Sequence, residues 1–318
     1  MTSMDCPGLD GSNPLHFLAS LGALRILPEG SLLSWRYDGD WHPRFEHDQP
    51  ELSRCLSQGI RRGVPDHPLV TAGTSRSGKT QKSEPEAADR ALIASAYAFL
   101  GFAPIPKTTH KEFRGISERQ FSKEHESIVD LLASIRILSS LNAESPPGDD
   151  GMLEPTAFSF SNGGGGQLLH DDFITLASFA SPEAVSATLE GRRERYVWCT
   201  SLNWDPRSLR SYAHQWGNPE SQPKDTDVAA NALAFIGLCS YPVVPGQWGS
   251  RTLGMVAERR RYRWPIWEVP LPLLTIESLL HLDPEEQNSR RSDGIVAIFE
   301  AERFSSNKRV YFAPASAV

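Results

Sequence analysis

Three stretches of the sequence place residue types at spacings that could do chemistry. Gly73-Thr-Ser-Arg-Ser-Gly78-Lys79-Thr80 fits the phosphate-loop pattern GxxxxGK[ST], in which backbone amides and a lysine cradle nucleotide phosphates. Its setting fits less well. Such a loop opens directly into an apolar helix whose N-terminus faces the anion, whereas Gln81-Lys-Ser-Glu-Pro85 follows here, and the preceding Leu69-Val70-Thr71 is short for a strand. Nucleotide binding through Gly73, Gly78, Lys79 and Thr80 therefore stands against a flexible Ser/Lys loop.

The run Gly163, Gly164, Gly165, Gly166, followed by Gln167, is the second stretch. Glycines remove side-chain obstruction, so a phosphodiester backbone could approach the amides at the start of the helix expected next. The alternative is a tight strand-to-helix connection. The third stretch is Arg259-Arg260-Arg261-Tyr262-Arg263-Trp264, which sets four arginines beside two aromatics, a mixture suited to phosphate pairing and base stacking. As a strand it puts Arg261 and Arg263 on one face and Tyr262 and Trp264 on the other. A solvated hairpin tip with its aromatics in the core has the same pattern. Arg192 and Arg193, with Arg195, form a second basic cluster after an expected helix.

Other polar residues offer less. Asp205-Pro206 reads as a helix start anchored by Trp204, and a catalytic Asp205 would need a partner acid or metal set that is not visible nearby. His170-Asp171-Asp172 has the look of a metal-dependent phosphohydrolase motif, yet on a helix the two aspartates point to adjacent faces and read as solvent charges. No serine elbow or Cys-His pair supplies a nucleophile. No cofactor is expected.

These residues need elements to position them. Asn13 and Pro14 open a helix carrying Leu15, Phe17, Leu18, Leu21 and Leu24, which Pro28 and Gly30 stop. Strands over 31–37 and 40–45 flank Asp38-Gly39, a tight-turn pair. Helices are predicted over 50–62, 86–101 and 122–141, with a long exposed loop over 63–85. Beyond the Pro/Gly-rich stretch 144–151, the sequence predicts a strand over 156–161 and helices over 167–179, from Ser181-Pro182-Glu183, over 207–216 and over 227–239. Hairpins over 252–258/262–267 and 295–302/309–312 enclose a short helix at 275–282. This amounts to an α+β protein of mixed helices and short antiparallel hairpins: an N-terminal lobe 1–143, a linker 144–155 and a C-terminal lobe 156–318.

Composition bounds the partners. A net charge of −7 excludes a body coated in positive potential, so any nucleic-acid contact must use local patches. The four cysteines form no CxxC pair, which removes a zinc ribbon or redox motif. The opening residues lack the basic and apolar regions of a signal peptide, and no run of eighteen apolar residues occurs, so a cytoplasmic location without membrane partners is expected.

Three segments together resemble one family: Gly8-Leu-Asp-Gly-Ser-Asn-Pro-Leu-His-Phe-Leu-Ala-Ser-Leu-Gly-Ala-Leu-Arg25, Phe158-Ser-Phe-Ser-Asn-Gly-Gly-Gly-Gly-Gln167, and Leu202-Asn-Trp-Asp-Pro206 with Arg210, Tyr212 and Ala213. The last continues through Ala230-Asn231-Ala-Leu-Ala234 and Trp264-Pro-Ile-Trp267. The chain resembles proteins encoded in type I CRISPR loci of the I-G (formerly I-U) kind. The resemblance implies a non-catalytic subunit of a Cascade-like RNA-guided antiviral complex, contacting guide RNA or target DNA beside other effector subunits. Cleavage would be left to another protein, a helicase-nuclease being one candidate partner, and base pairing would read most of the sequence. Large subunit, accessory subunit and helicase-nuclease extension all stay open, as does a purely protein-binding role.

Overall fold

The computed structural model describes residues 2–61, 156–160, 169–208, 225–246, 249–256, 260–289, 293–306 and 309–318. Within them the chain is α+β, with helices packed on antiparallel sheets. Helix α1 (Pro14–Ile26) begins as its sequence dictates: the Asn13 side chain accepts a hydrogen bond from the Leu15 N–H at 2.9 Å, and Pro14 occupies the first helical position. Every residue from Pro14 to Leu24 is buried, so α1 is a core helix. Helix α5 (Val228–Gly237), capped by the Asp227 carboxylate on the Ala230 N–H, is buried along its whole length and packs against α1. Around this pair lie α2 (Leu52–Ile60), α3 (Leu169–Phe179) and α4 (Pro182–Glu190). Ser181 caps α4 as expected, and Gly191 ends it at φ +75°.

Two sheets enclose the other side. The first has the order β1-β3-β2-β10, made of β1 (Thr2–Asp5), β2 (Leu32–Tyr37), β3 (Trp41–His47) and β10 (Leu271–Pro272). The second has the order β12-β11-β9-β8, with β8 (Met255–Val256), β9 (Arg261–Trp267), β11 (Ile295–Ser306) and β12 (Arg309–Phe312), while β13 (Ser316–Ala317) also pairs with β11. Shorter ladders join β4 (Tyr196–Trp198) to β5 (Asp225–Asp227) and β6 (Val243–Gly246) to β7 (Gly249–Thr252). Helices α6 (Leu273–Leu280) and α7 (Pro284–Ser289) bridge β10 to β11.

Aromatic packing locks the sheets to α1. Phe17 stacks on Trp35 of the first sheet with centroids 5.5 Å apart, and lies 5.8 and 6.1 Å from Trp264 and Trp267 of the second. Both buried indoles find acceptors: Trp267 Nε1–H donates to the Leu33 carbonyl and Trp264 Nε1–H to that of Gly11, each at 2.8 Å. One hydrophobic cluster draws on residues from both 2–61 and 156–318. The expected linker 144–155, the loop 63–85 and the helices over 86–101 and 122–141 fall outside the described residues.

The segment read as a strand from Thr156 departs from expectation. Residues 156–160 form a turn in which Ser159 N–H donates to the Thr156 carbonyl at 3.0 Å, and Ala157 N–H donates to Thr252 Oγ1 at 3.0 Å. Ala157, Phe158 and Phe160 are all buried, so the apparent alternation never marked a two-faced strand. The Asp38-Gly39 turn is also one residue longer than a two-residue hairpin. Tyr37 pairs with Trp41, leaving Asp38 to Asp40 as the loop, with Gly39 at φ +86°.

Candidate nucleic-acid interface

Strand β9 carries the arginine run into the second sheet, and its pleat sorts the side chains as the alternation predicts. Tyr262 and Trp264 face the core and are fully buried; Tyr262 donates to Tyr241 at 2.9 Å and stacks on Trp264 at 4.7 Å. Neither ring is available to a base. Arg261 and Arg263 face the other way, opposite Glu302 and Glu300 of β11. Glu300 holds both: Arg261 Nη1 lies 2.6 Å from Oε2 and Arg263 Nη1 lies 3.2 Å from Oε1. The two guanidinium groups differ in exposure. The Arg263 side chain is 11% exposed and also donates to Asn288 at 3.0 Å, whereas that of Arg261 is 50% exposed. Arg263 is therefore an internal anchor, and Arg261 presents donors to solvent.

Arg260 is exposed at the turn leading into β9, and its carbonyl accepts from the Arg303 N–H at 2.6 Å. The Arg303 guanidinium lies over the Phe160 ring, 5.4 Å from the centroid. Phe160 in turn packs edge-on against Phe312 at 4.7 Å. Phe160 stands three positions before Gly163 in the chain. Gly163, Gly164, Gly165, Gly166, Gln167 and Arg259 lie outside the described residues, as do Gly73, Gly78, Lys79 and Thr80.

The second basic cluster is dispersed by its pairings. Arg192 bonds Glu190 at 2.8 Å and Ser186 at 3.1 Å, and Arg193 is exposed. Arg195 turns inward, where Nη1 donates to the Gly8 carbonyl at 2.9 Å and Nε lies 3.4 Å from Asp227 Oδ2. Asp227 also accepts from Thr188 at 2.6 Å and from Ala230 N–H at 3.0 Å. Burial lifts its carboxyl to about 6, outweighing the Thr188, Ala230 and Arg195 contacts that favour the anion.

A polar knot joins two of the family-like segments. Asp205 caps the short turn Pro206–Ser208 by accepting from Arg207 N–H at 3.0 Å, and it also accepts from Asn13 Nδ2 at 3.0 Å. Its structural role as a cap holds. Asn203, at φ +61°, supplies the left-handed bend just before it. Arg207 reaches across to the His16 ring, with Nη2 2.9 Å from Nε2, while Asp10 N–H donates to Nδ1 at 3.0 Å. Burial, then the Arg207 charge, pushes His16 down to about 3, so its ring is neutral.

Sequence reasoning missed His16, Glu300 and Arg303. Glu300 was detectable, because arginines at alternate positions of one strand call for acids at alternate positions of its neighbour, and Glu300 and Glu302 supply them. His16 carried no such signal, being one polar residue on an apolar helix. Asp172 is a correction: it is buried and accepts from the Thr200 hydroxyl at 2.5 Å, because α3 turns that face inward toward the residue after Cys199. Among the described residues, no cluster of three or more His, Cys, Asp or Glu is arranged to hold a metal ion, and no helix is long and apolar enough to cross a membrane.

The fold and these surfaces define an α+β protein with an arginine-bearing strand inside its second sheet. The chain matches no protein-family model and no curated protein.

Proposed function

We propose that the chain is a non-catalytic nucleic-acid-binding subunit of a type I CRISPR RNA-guided surveillance complex, contacting guide RNA or target DNA beside other effector subunits. The observation that carries this reading is the meeting of Phe160, Arg303 and Arg260 where β9 begins. It joins the residue leading into the glycine run to the residue leading into the arginine strand. Glycine amides and guanidinium groups both suit phosphate oxygens, and the half-exposed Arg261 adds a further donor set. The mode is backbone contact without base stacking, since Tyr262 and Trp264 are enclosed. Sequence would then be read by the guide's base pairing.

The test is the double variant Arg260→Gln/Arg261→Gln, which leaves the buried Arg263–Glu300 pair intact. In the assembled complex, the plot of log affinity against log salt between about 50 and 200 mM should become shallower. The slope should change by about 0.7 for each single-strand phosphate no longer neutralised, or by about 0.9 on duplex. An unchanged slope removes this patch from the interface. Co-purification of short guide RNA with the complex tests the wider assignment.

A further inference from the structure

A second surface, on a different set of elements from the arginine strand, has the backbone chemistry of a binding edge. Among the described residues, strand β1 stands at the end of the first sheet and pairs only with β3. The ladder continues past β1, where Cys6 N–H donates to the Pro43 carbonyl at 2.9 Å. Antiparallel pairs alternate between bonded and non-bonded. Counting back from Cys6, the bonded pairs are Met4 with Phe45 and Thr2 with His47, so Ser3 and Asp5 turn their N–H and C=O groups away from β3. Among the described residues, those outward groups have no backbone partner.

Thr2, Ser3 and Met4 of β1 border a groove of about 630 Å³ between β1, the chain from His47 to Arg54, and α4. That volume lies within the roughly 300–1,000 Å³ of sites that enclose bound ligands. Met4, Leu52 and Leu189 give it an apolar base, and Ser186 stands on the α4 wall. Its charges are Glu51, Glu183 and Glu190 against Arg54 and Arg192, of which Arg54 pairs with Glu51 and Arg192 with Glu190. The surplus is a single negative charge, at Glu183. A polyanion is therefore disfavoured here, and Arg192 belongs to this groove.

We propose that the groove receives an extended segment of a partner polypeptide, neutral or weakly basic, as a strand added to the free edge of β1. The outward amide and carbonyl of Ser3, which lines the groove, bond the incoming backbone, and those of Asp5 continue the edge beyond it. Alternate side chains of the segment settle on Met4, Leu52 and Leu189, while the others face solvent. This site is independent of the nucleic-acid reading and uses none of Arg260, Arg261 or Arg263.

The probe is a displayed library of random nine-residue peptides selected on the immobilised full chain, with an oligouridine RNA as a parallel ligand. Ser3→Pro removes an outward N–H without touching the bonds from β1 to β3, a place where a sheet tolerates proline. Ser186→Trp fills the groove from α4 and leaves the backbone of β1 unchanged, so it decides the matter alone if Ser3→Pro fails to fold. Selected peptides should bind the wild type and bind each folded variant about tenfold or more weakly, the effect of removing roughly one hydrogen bond and its alignment. Failure to select any peptide, peptides indifferent to both variants, or oligouridine binding that Ser186→Trp abolishes would each overturn the proposal.

Discussion

Gly22 of α1 and Gly237 of α5 meet backbone to backbone where the two buried helices cross. A Cβ on Gly22 would sit 1.9 Å from the Leu233 carbonyl oxygen, and one on Gly237 would sit 2.0 Å from that of Leu18. Neither obstacle is a flexible side chain, so the helices can accommodate a methyl group only by separating.

Gly22→Ala should therefore destabilise the protein by about 3 kcal/mol or more, the upper end of overpacking costs, although alanine is the better helix former by about 1 kcal/mol. Urea denaturation followed by circular dichroism measures this. A neutral result would mean that α1 and α5 do not cross at these residues.

The two arginines on Glu300 should separate in the same assay. Glu300→Gln takes the anion from the buried Arg263 and should cost about 3–5 kcal/mol. Arg261→Gln removes a half-exposed partner and should cost at most about 1 kcal/mol. Equal losses would show that Arg261 is as enclosed as Arg263.

Acid stability should carry two opposing terms. His16 is held near 3 in the folded chain against an ordinary value of 6.5, so the unfolded chain binds the extra proton and stability falls as pH drops below 6.5. Asp227 is held near 6 against 3.8, so the folded chain binds the extra proton and stability rises as pH drops from 6 toward 4. Each contributes a slope of up to about 1.4 kcal/mol per pH unit, and between pH 4 and 6 they oppose one another. Asp227→Asn removes one side of the balance and should make the acid loss in that window steeper. Denaturation midpoints across the range decide it, and an unchanged slope would rule out a titrating Asp227.

The neutral His16 ring faces a donor on each side, Asp10 N–H at Nδ1 and Arg207 at Nε2. Either tautomer thus sets a ring N–H against another donor. Asp10 N–H is fixed by the loop before α1, whereas the Arg207 side chain is 52% exposed and can swing aside. Long-range nitrogen–proton spectra should therefore find the proton on Nε2; a proton on Nδ1 would show that the Arg207 contact is the stronger one.

Much of this fold was readable wherever local chemistry decides. Asn13-Pro14, Ser181-Pro182-Glu183 and Asp227 start α1, α4 and α5 because a capping oxygen, joined by a pre-set proline in the first two, acts within one turn. The alternation of arginine and aromatic residues in β9 was equally legible, as was the closing hairpin of β11 and β12. Strands β1, β4 and β5 were not. Thr2–Asp5, Tyr196–Trp198 and Asp225–Asp227 are too short for a period to register and owe their form to distant pairing. Of the interface, the arginines were visible and their shared Glu300 was inferable, but the approach of Phe160 to Arg303 comes from tertiary packing alone.

The Asn13 side chain has two duties: its oxygen caps α1 and its nitrogen bonds Asp205, which lies 192 positions further along. The first helix is thus finished only when a loop from far down the chain arrives. During synthesis α1 emerges well before Asp205, and the chain between them must be made before that bond can close. Ribosome-bound intermediates will carry an apolar helix without its cover, and the closing of so large a loop makes late, slow consolidation the natural kinetics of this protein.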